Sequence, residues 1–482
     1  VNELRAFRAA ATAPLLLVSL VFSTQCALKP QSSVAPVNTS QQSNGGAAPI
    51  TAGSGGMATV AAAGTTNAGG ASTSGAGGAS GSPANGGSAG MAEVLGPTPA
   101  TAGVNFPFPQ NRQSQLCTYP KYHNSDVVSA YQRWKTDTVT ATGAGNHLRV
   151  QRPEDTGVNA LSTVSEGIGY GMVIAVYMND QTLFDGLWQY EQLWLGMNGL
   201  MDWRIAANGT DRLGTGAATD ADEDMAWALL MADRQWGGSG ALGDTYLNIA
   251  KKQIGLIYTN EIYMAKLVKP GDTWGDWTTV NASYFAPAYY RAFATASGNS
   301  GWNDVIKTSY DTLANTLNTA NGNSNNGLVP AWATSDGVPN AAVFMNMPAA
   351  PTNYQYDSCR TPFRIGLDYC MNSEMRAQLY VSKTSQFFSG IGAKNIVDGY
   401  QLNGTPEPQS TSGQSAAFVG PAAVGAMSFA SYLGFIQDAY DAVATQNLLV
   451  GGKYYDESWT VLSLLMLTGN FVDYTAVQPL TK

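Results

Sequence analysis

The sequence predicts an all-α fold, an (α/α)6 toroid of six inner and six outer helices preceded by a disordered tether. Three observations carry this expectation. Helical periodicity recurs in twelve segments along residues 105–475, strand-like alternation is scarce, and alternate segments differ in character. The segments are 125–139, 165–179, 182–196, 221–236, 243–258, 284–297, 302–319, 358–371, 374–389, 421–435, 437–448 and 456–468. Segments 165–179, 221–236, 284–297, 421–435 and 456–468 are rich in Gly, Ala and apolar side chains on most faces, as buried helices must be. Their neighbours are striped: Val305, Ile306, Tyr310, Leu313 and Leu317 form one face against Lys307, Asp311 and Asn315. In such a toroid the inner helices run one way, so their N-terminal ends gather around a single opening.

Taken in order, residues 1–26 read as a signal peptide. Arg5 and Arg8 precede the apolar run 9–22, which is too short to span a bilayer. Cys26 stands where a bacterial lipoprotein would carry its lipid, and plain cleavage with secretion is the other reading. Residues 27–104 are almost entirely Ala, Gly, Ser, Thr, Asn and Pro, which offer too little apolar surface to bury, so they form a flexible linker. As coil the linker spans roughly 45 Å. Residues 105–475 then hold nearly all the Trp, Tyr and Leu and suit one large domain.

Composition narrows the function classes. Net charge is −9 with only 12% charged residues and no basic cluster, which argues against nucleic acid and anionic membrane surfaces as partners. An uncharged polymer suits a domain rich in Trp and Tyr and poor in charge. With Cys26 set aside, three cysteines remain. Cys359 and Cys370 would lie roughly 16 Å apart on one continuous helix, too far to bridge. Cys117 can pair with either of them in an oxidising compartment. Two histidines and the lack of closely spaced cysteine pairs leave no metal site, and no cofactor motif is present.

Three segments place acids at helix starts. In 218–236, Thr219 and Asp220 are candidates to cap the first free amides, with Asp222, Glu223 and Asp224 in the first turn. Simple stabilisation of the helix is the bland alternative. A calcium loop counted from Asp220 fails, because Met225 and Met231 stand where glycine and glutamate are required. In 163–172, Glu166 opens a helix with Ser165 as cap. Gly167, Gly169 and Gly171 each cost roughly 1 kcal/mol relative to Ala there, so close approach of a backbone or ligand must compensate. In 354–369, Asp357 opens a helix, with Arg360 and Arg364 near its face and a local ion pair as the bland reading.

On these segments the chain resembles glycoside hydrolase family 8, inverting endo-glycanases that include bacterial cellulases, chitosanases, lichenases and some xylanases. The resemblance covers about 105–475 and is most specific at 218–236, where the family pattern is met without a departure. Ser165, Glu166, Gly167, Tyr170, Gly171 and Met172 match its proton-donor segment, and 356–364 looks like the segment carrying its base. The family's fold is also the (α/α)6 toroid. The resemblance implies Glu166 as general acid, Asp357 as general base, Asp220 holding and distorting the sugar, Tyr284 helping to hold the attacking water, and Arg360 binding substrate. Trp203 and Trp274 match its aromatic subsites, while Trp277 and Trp332 also lie in loop-like, polar settings.

The chemistry explains the acids. Inversion needs one protonated carboxyl for the leaving oxygen and one carboxylate to activate water, roughly 6.5–9.5 Å apart. Glu166 should stay protonated through apolar walls and the charge of Asp220, and Asp357 ionised through Arg360 or another donor. The expected partner is a β-linked polysaccharide, a glucan ahead of xylan or chitosan, acted on by a monomer. A non-catalytic surface carbohydrate-binding lipoprotein is the competing class, which needs aromatics but no paired acids.

Overall fold

A computed structural model describes residue 103 and residues 105–341, 352–407, 415–445 and 453–476. The signal peptide expected at 1–26, Cys26, the linker expected at 27–104 (Gly103 excepted) and the end of the helix expected at 437–448 lie outside the described residues. Twelve α-helices occur among the described residues. The odd-numbered ones are α1 (Asn124–Thr138), α3 (Gln181–Glu191), α5 (Tyr246–Asn260), α7 (Trp302–Thr316), α9 (Met375–Ile391) and α11 (Leu433–Thr445). The even-numbered ones are α2 (Ser165–Tyr177), α4 (Thr219–Gln235), α6 (Pro287–Ser297), α8 (Thr361–Asn372), α10 (Ala416–Ala426) and α12 (Tyr454–Leu467).

Packing follows that parity. The helix α2 touches α4, α4 touches α6, and the series runs through α8 and α10 to α12, which returns to α2 and closes an inner ring. Each odd helix lies outside: α3 on α2, α5 on α4, α7 on α6, α9 on α8, α11 on α10 and α1 on α12. The fold is therefore the (α/α)6 barrel. Burial agrees, because every residue of α10 is buried whereas α7 buries only one stripe, including Val305, Ile306, Tyr310 and Leu313.

Close approach in the ring depends on glycine. A Cβ at Gly169 would stand 2.9 Å from the Ala221 carbonyl oxygen of α4, and one at Gly171 would stand 2.7 Å from Leu187 of α3. The glycines of α2 thus give up helix propensity for interhelical contact, as expected.

Several boundaries differ from the sequence reading. The helix expected at 421–435 is α10, which starts five residues earlier at Ala416 and carries Pro421 in its interior; Ser415 caps it by accepting from the Ala417 amide at 3.2 Å. Segments 182–196 and 302–319 end early, at Glu191 and Thr316, the first passing into a 3-10 turn at Gln192–Trp194. Among the described residues the strands are only two or three residues long. One antiparallel sheet, Thr163–Val164 with Arg204–Ile205 and Arg212–Gly214, feeds directly into α2. Cys117 bridges Cys370 with Cα atoms 5.6 Å apart, and Cys359 is a buried free thiol.

Candidate active site

The candidate side chains gather at the N-terminal ends of inner helices. Glu166 and Asp220 are second residues of α2 and α4, Tyr454 is the first of α12, and Asp357 and Arg360 immediately precede α8. Neither Ser165 nor the Thr219–Asp220 pair is a cap: Val164 and Ala218 hold those positions, without side-chain hydrogen bonds. This releases Asp220 for tertiary contacts, while both acids remain beside a helix end whose dipole favours negative charge.

Arg360 is the hub. Its Nη1 donates to Glu166 Oε2 at 2.6 Å, to Asp220 Oδ2 at 2.6 Å and to the Tyr170 hydroxyl at 3.0 Å, and its Nε donates to Ser283 Oγ at 3.2 Å. The guanidinium carbon lies 5.1 Å from the ring centre of Tyr284. Residues 166, 220, 284 and 360, scattered along the sequence, therefore meet. Tyr284 belongs to the 3-10 turn Ala282–Tyr284 ahead of α6, not to the helix expected at 284–297.

Asp357 also precedes its helix, in a turn where the Ser358 and Cys359 amides donate to the Gln355 carbonyl; α8 starts at Thr361 with Pro362 in its first turn. The local ion pair with Arg360 or Arg364 is not formed. Arg364 instead makes a two-pronged pair with Asp224, each bond 2.6 Å, beneath the cleft. Asp357 Oδ2 accepts from Gln355 Nε2 at 3.2 Å and Trp332 Nε1 at 3.3 Å. Trp332 in turn lies 5.5 Å from Trp274 and 6.2 Å from Tyr284, ring centre to ring centre. Trp203 leads into the sheet beside α2, its carbonyl accepting from the Ser165 amide at 2.9 Å. A Cβ at Gly214 would stand 2.1 Å from the Trp203 indole nitrogen, so that residue can only be glycine while the ring stays in place.

The four acids at the start of the 218–236 motif do not act together. Successive residues turn about 100° around a helix. Asp220 faces Arg360, Asp222 accepts from Gln253 at 2.9 Å on the α5 side, Glu223 accepts from the Tyr290 hydroxyl at 2.7 Å on the α6 side, and Asp224 meets Arg364. Only Asp220 belongs to the cleft group.

Burial raises both proposed catalytic acids, Glu166 and Asp357. Glu166 keeps 19% of its side-chain surface exposed, against 2% for Asp220. Burial pushes its carboxyl up to about 7; Asp220 and Asp357 add to the rise, and Arg360 and the Tyr454 hydroxyl oppose it. Burial also moves Asp357 upward; the charge of Arg360 opposes this most, followed by the hydrogen bonds from Gln355 and Trp332, so the expected ionising help comes from Arg360 first and from the two bonded donors after it. Asp220 Oδ1 is buried and receives no hydrogen bond from the protein. Among the described residues, no group of three His, Cys, Asp or Glu side chains is arranged to hold a metal ion.

Sequence reasoning missed Tyr454, whose hydroxyl donates to Glu166 Oε1, as well as Gln355 and Ser283. The convergence of inner-helix N-termini was the signal that could have found Tyr454.

The family model described as "Glycosyl hydrolases family 8" matches residues 106–469. Endoglucanase 2 of Ruminiclostridium josui is 38% identical over 76% of each chain. Endoglucanase A of Acetivibrio thermocellus is 38% identical over 72% of this chain and 69% of its own. A solved structure of a beta-1,3-1,4-glucanase from Paenibacillus sp. X4 superposes with a TM-score of 0.68 at 31% identity, covering 76% of this chain and 98% of that one. A cold-adapted family 8 xylanase, at 21% identity and a TM-score of 0.62 over 76% of this chain and 99% of its own, shares the fold.

Proposed function

The chain belongs to glycosyl hydrolases family 8, and on that premise we propose that it hydrolyses β-1,4-glucan from within the chain, with inversion at the anomeric carbon. The meeting of Glu166 and Asp220 on one nitrogen of Arg360, with Asp357 close enough for its charge to raise Glu166, is the observation that carries this reading. Names of the relatives, endoglucanase and beta-glucanase, support a glucan substrate.

In this reading Asp357 accepts a proton from water as the water oxygen bonds to the anomeric carbon. The glycosidic C–O bond breaks, its electron pair goes to the leaving oxygen, and Glu166 protonates that oxygen. One turnover leaves Asp357 protonated and Glu166 ionised, and exchange with solvent resets both. Asp220 Oδ1, with no protein donor, accepts from a sugar hydroxyl at the cleavage subsite. Tyr284 helps to hold the water, Arg360 fixes both acids and the sugar between them, and Trp203 and Trp274 stack sugar faces.

Incubation with lichenan, carboxymethylcellulose, xylan and chitosan, wild type beside Glu166→Gln, tests this. New reducing ends on the glucans should fall roughly 10²- to 10⁴-fold in the variant, and NMR of the first product should show the α-anomer. Equal background activity in both proteins would instead favour a carbohydrate-binding protein. We further propose export with either lipidation at Cys26 or cleavage and secretion; labelled fatty acid incorporated by wild type but not Cys26→Ser would decide between them. A monomer is the proposed solution state.

A further inference from the structure

Trp277 shares a loop with Trp274 but serves a different surface. Trp274 faces Trp332 in the cleft, whereas the Trp277 carbonyl accepts from the Ser335 amide at 2.8 Å and its ring meets Tyr263 edge to face at 6.1 Å. There it lines a separate open groove of about 590 Å³ together with the outer face of α7, Lys266 and Asp336. None of the catalytic residues lines it.

We propose that this groove is a second binding site for the glucan chain, one that holds polymer while the cleft cuts it; the proposal rests on the glucan reading above. The chemistry of the lining selects a neutral, hydroxyl-rich ligand. Two ammonium groups, Lys266 and Lys307, stand against three carboxylates, Asp304, Asp311 and Asp336, so the groove favours neither strong anions nor strong cations. Asp304, Lys307, Asp311 and Asn315 are all exposed and recur three or four residues apart, a straight row along α7. That row extends roughly 16 Å, room for several sugar rings edge-on to donors and acceptors. Trp277 is the large aromatic face in the lining, partly exposed and backed by Tyr263, the geometry that receives a flat sugar ring. Lys266 sits with its ammonium 5.4 Å from the centre of that ring and, on a flexible stem, can yield to a sugar and then donate to its hydroxyls.

Affinity electrophoresis of the full chain through gels containing soluble mixed-linkage glucan tests the site, with Glu166→Gln throughout to prevent turnover. The cleft-crippled variant Trp203→Ala/Trp274→Ala should still be retarded relative to a glucan-free gel, and adding Trp277→Ala should abolish the residue of retardation. In the active protein, Trp277→Ala should leave kcat/KM on a short soluble oligosaccharide unchanged and lower the rate on polymer roughly 2- to 10-fold, and Trp277→Tyr should restore it. Unchanged short-substrate turnover also shows that the variant folds. Retardation lost entirely with the two cleft tryptophans would overturn this site while leaving the glucan reading intact. No retardation of Glu166→Gln itself would sink both.

Discussion

A single arginine decides how the acids share their protons. Arg360 is 1% exposed and bonds both Glu166 and Asp220, so the two carboxyls cannot move apart without leaving a buried cation short of partners. Glu166, raised to about 7, is protonated below that pH and ionised above it. Its proposed role as general acid predicts an alkaline limb near pH 7 in kcat/KM, with an acid limb set by the proposed base, Asp357. The Tyr454 hydroxyl bonds the ionised form of Glu166 and lowers its pKa. Tyr454→Phe should therefore move the alkaline limb to higher pH and cost about 5- to 10-fold in rate, the worth of one hydrogen bond; an unmoved limb in a full pH profile would contradict it. At this scale the sequence displayed residue types well and partners poorly. The acids of 218–236 looked like one cluster, because sequence spacing shows that 220, 222, 223 and 224 are adjacent but not that each faces a different neighbour. The pairing of Arg364 with Asp224 across 140 positions was likewise beyond reach of any local pattern.

Among elements, the junction of α2 with α4 sets Gly169 against a backbone oxygen that has no flexible side chain to yield, and it lies close to Glu166 and Asp220 in the chain. Gly169→Ala should force a backbone oxygen away from a new methyl group, at a cost of about 1–3 kcal/mol. Because the shift falls between the two acids, activity should drop by more than the melting temperature suggests, measured side by side by calorimetry and reducing-end release. The bridge from Cys117 to Cys370 ties the segment before α1 to the end of α8. Replacing both with Ser should lower stability by roughly 2–5 kcal/mol in chemical denaturation, with kcat little changed, since neither cysteine touches the cleft. Element existence was readable from periodicity, and inner versus outer from apolar coverage. Boundaries were not: Pro421 lies inside α10 because the buried ring holds it there, a tertiary effect no propensity reveals. The sequence left the partner of Cys117 open, since either choice satisfied the count.

The whole barrel carries a second group of buried carboxyls away from the cleft. Asp222, Glu261 and Glu191 are each fully buried, and burial raises all three; Glu261 raises Asp222 further, while the hydrogen bond between them holds Glu261 down somewhat, and Glu261 and Glu191 reach about 8. The groups facing them are Gln253 and Lys252 from α5, Gln192, and Lys269 and Asp272 from the loop beyond. A carboxyl with a folded pKa above its unfolded value binds more protons when folded, so its contribution is complete below about 4.5 and is lost as pH rises to about 8. The melting temperature should accordingly fall between pH 5 and pH 8. Glu261→Gln, which keeps the shape and removes the titration, should flatten that decline and raise stability at pH 8; a parallel decline in both proteins would refute the assignment. None of this was visible in the sequence, where Glu191 and Glu261 sit in unremarkable stretches.

Because the last inner helix both completes the ring against the second and delivers a hydroxyl to Glu166, the order of synthesis matters. A nascent chain stopped just short of residue 453 would already contain every acid and cleft tryptophan named above. Its barrel would nevertheless gape along one seam. Hydrolysis should switch on abruptly only when this helix docks, which keeps copies that lack it silent.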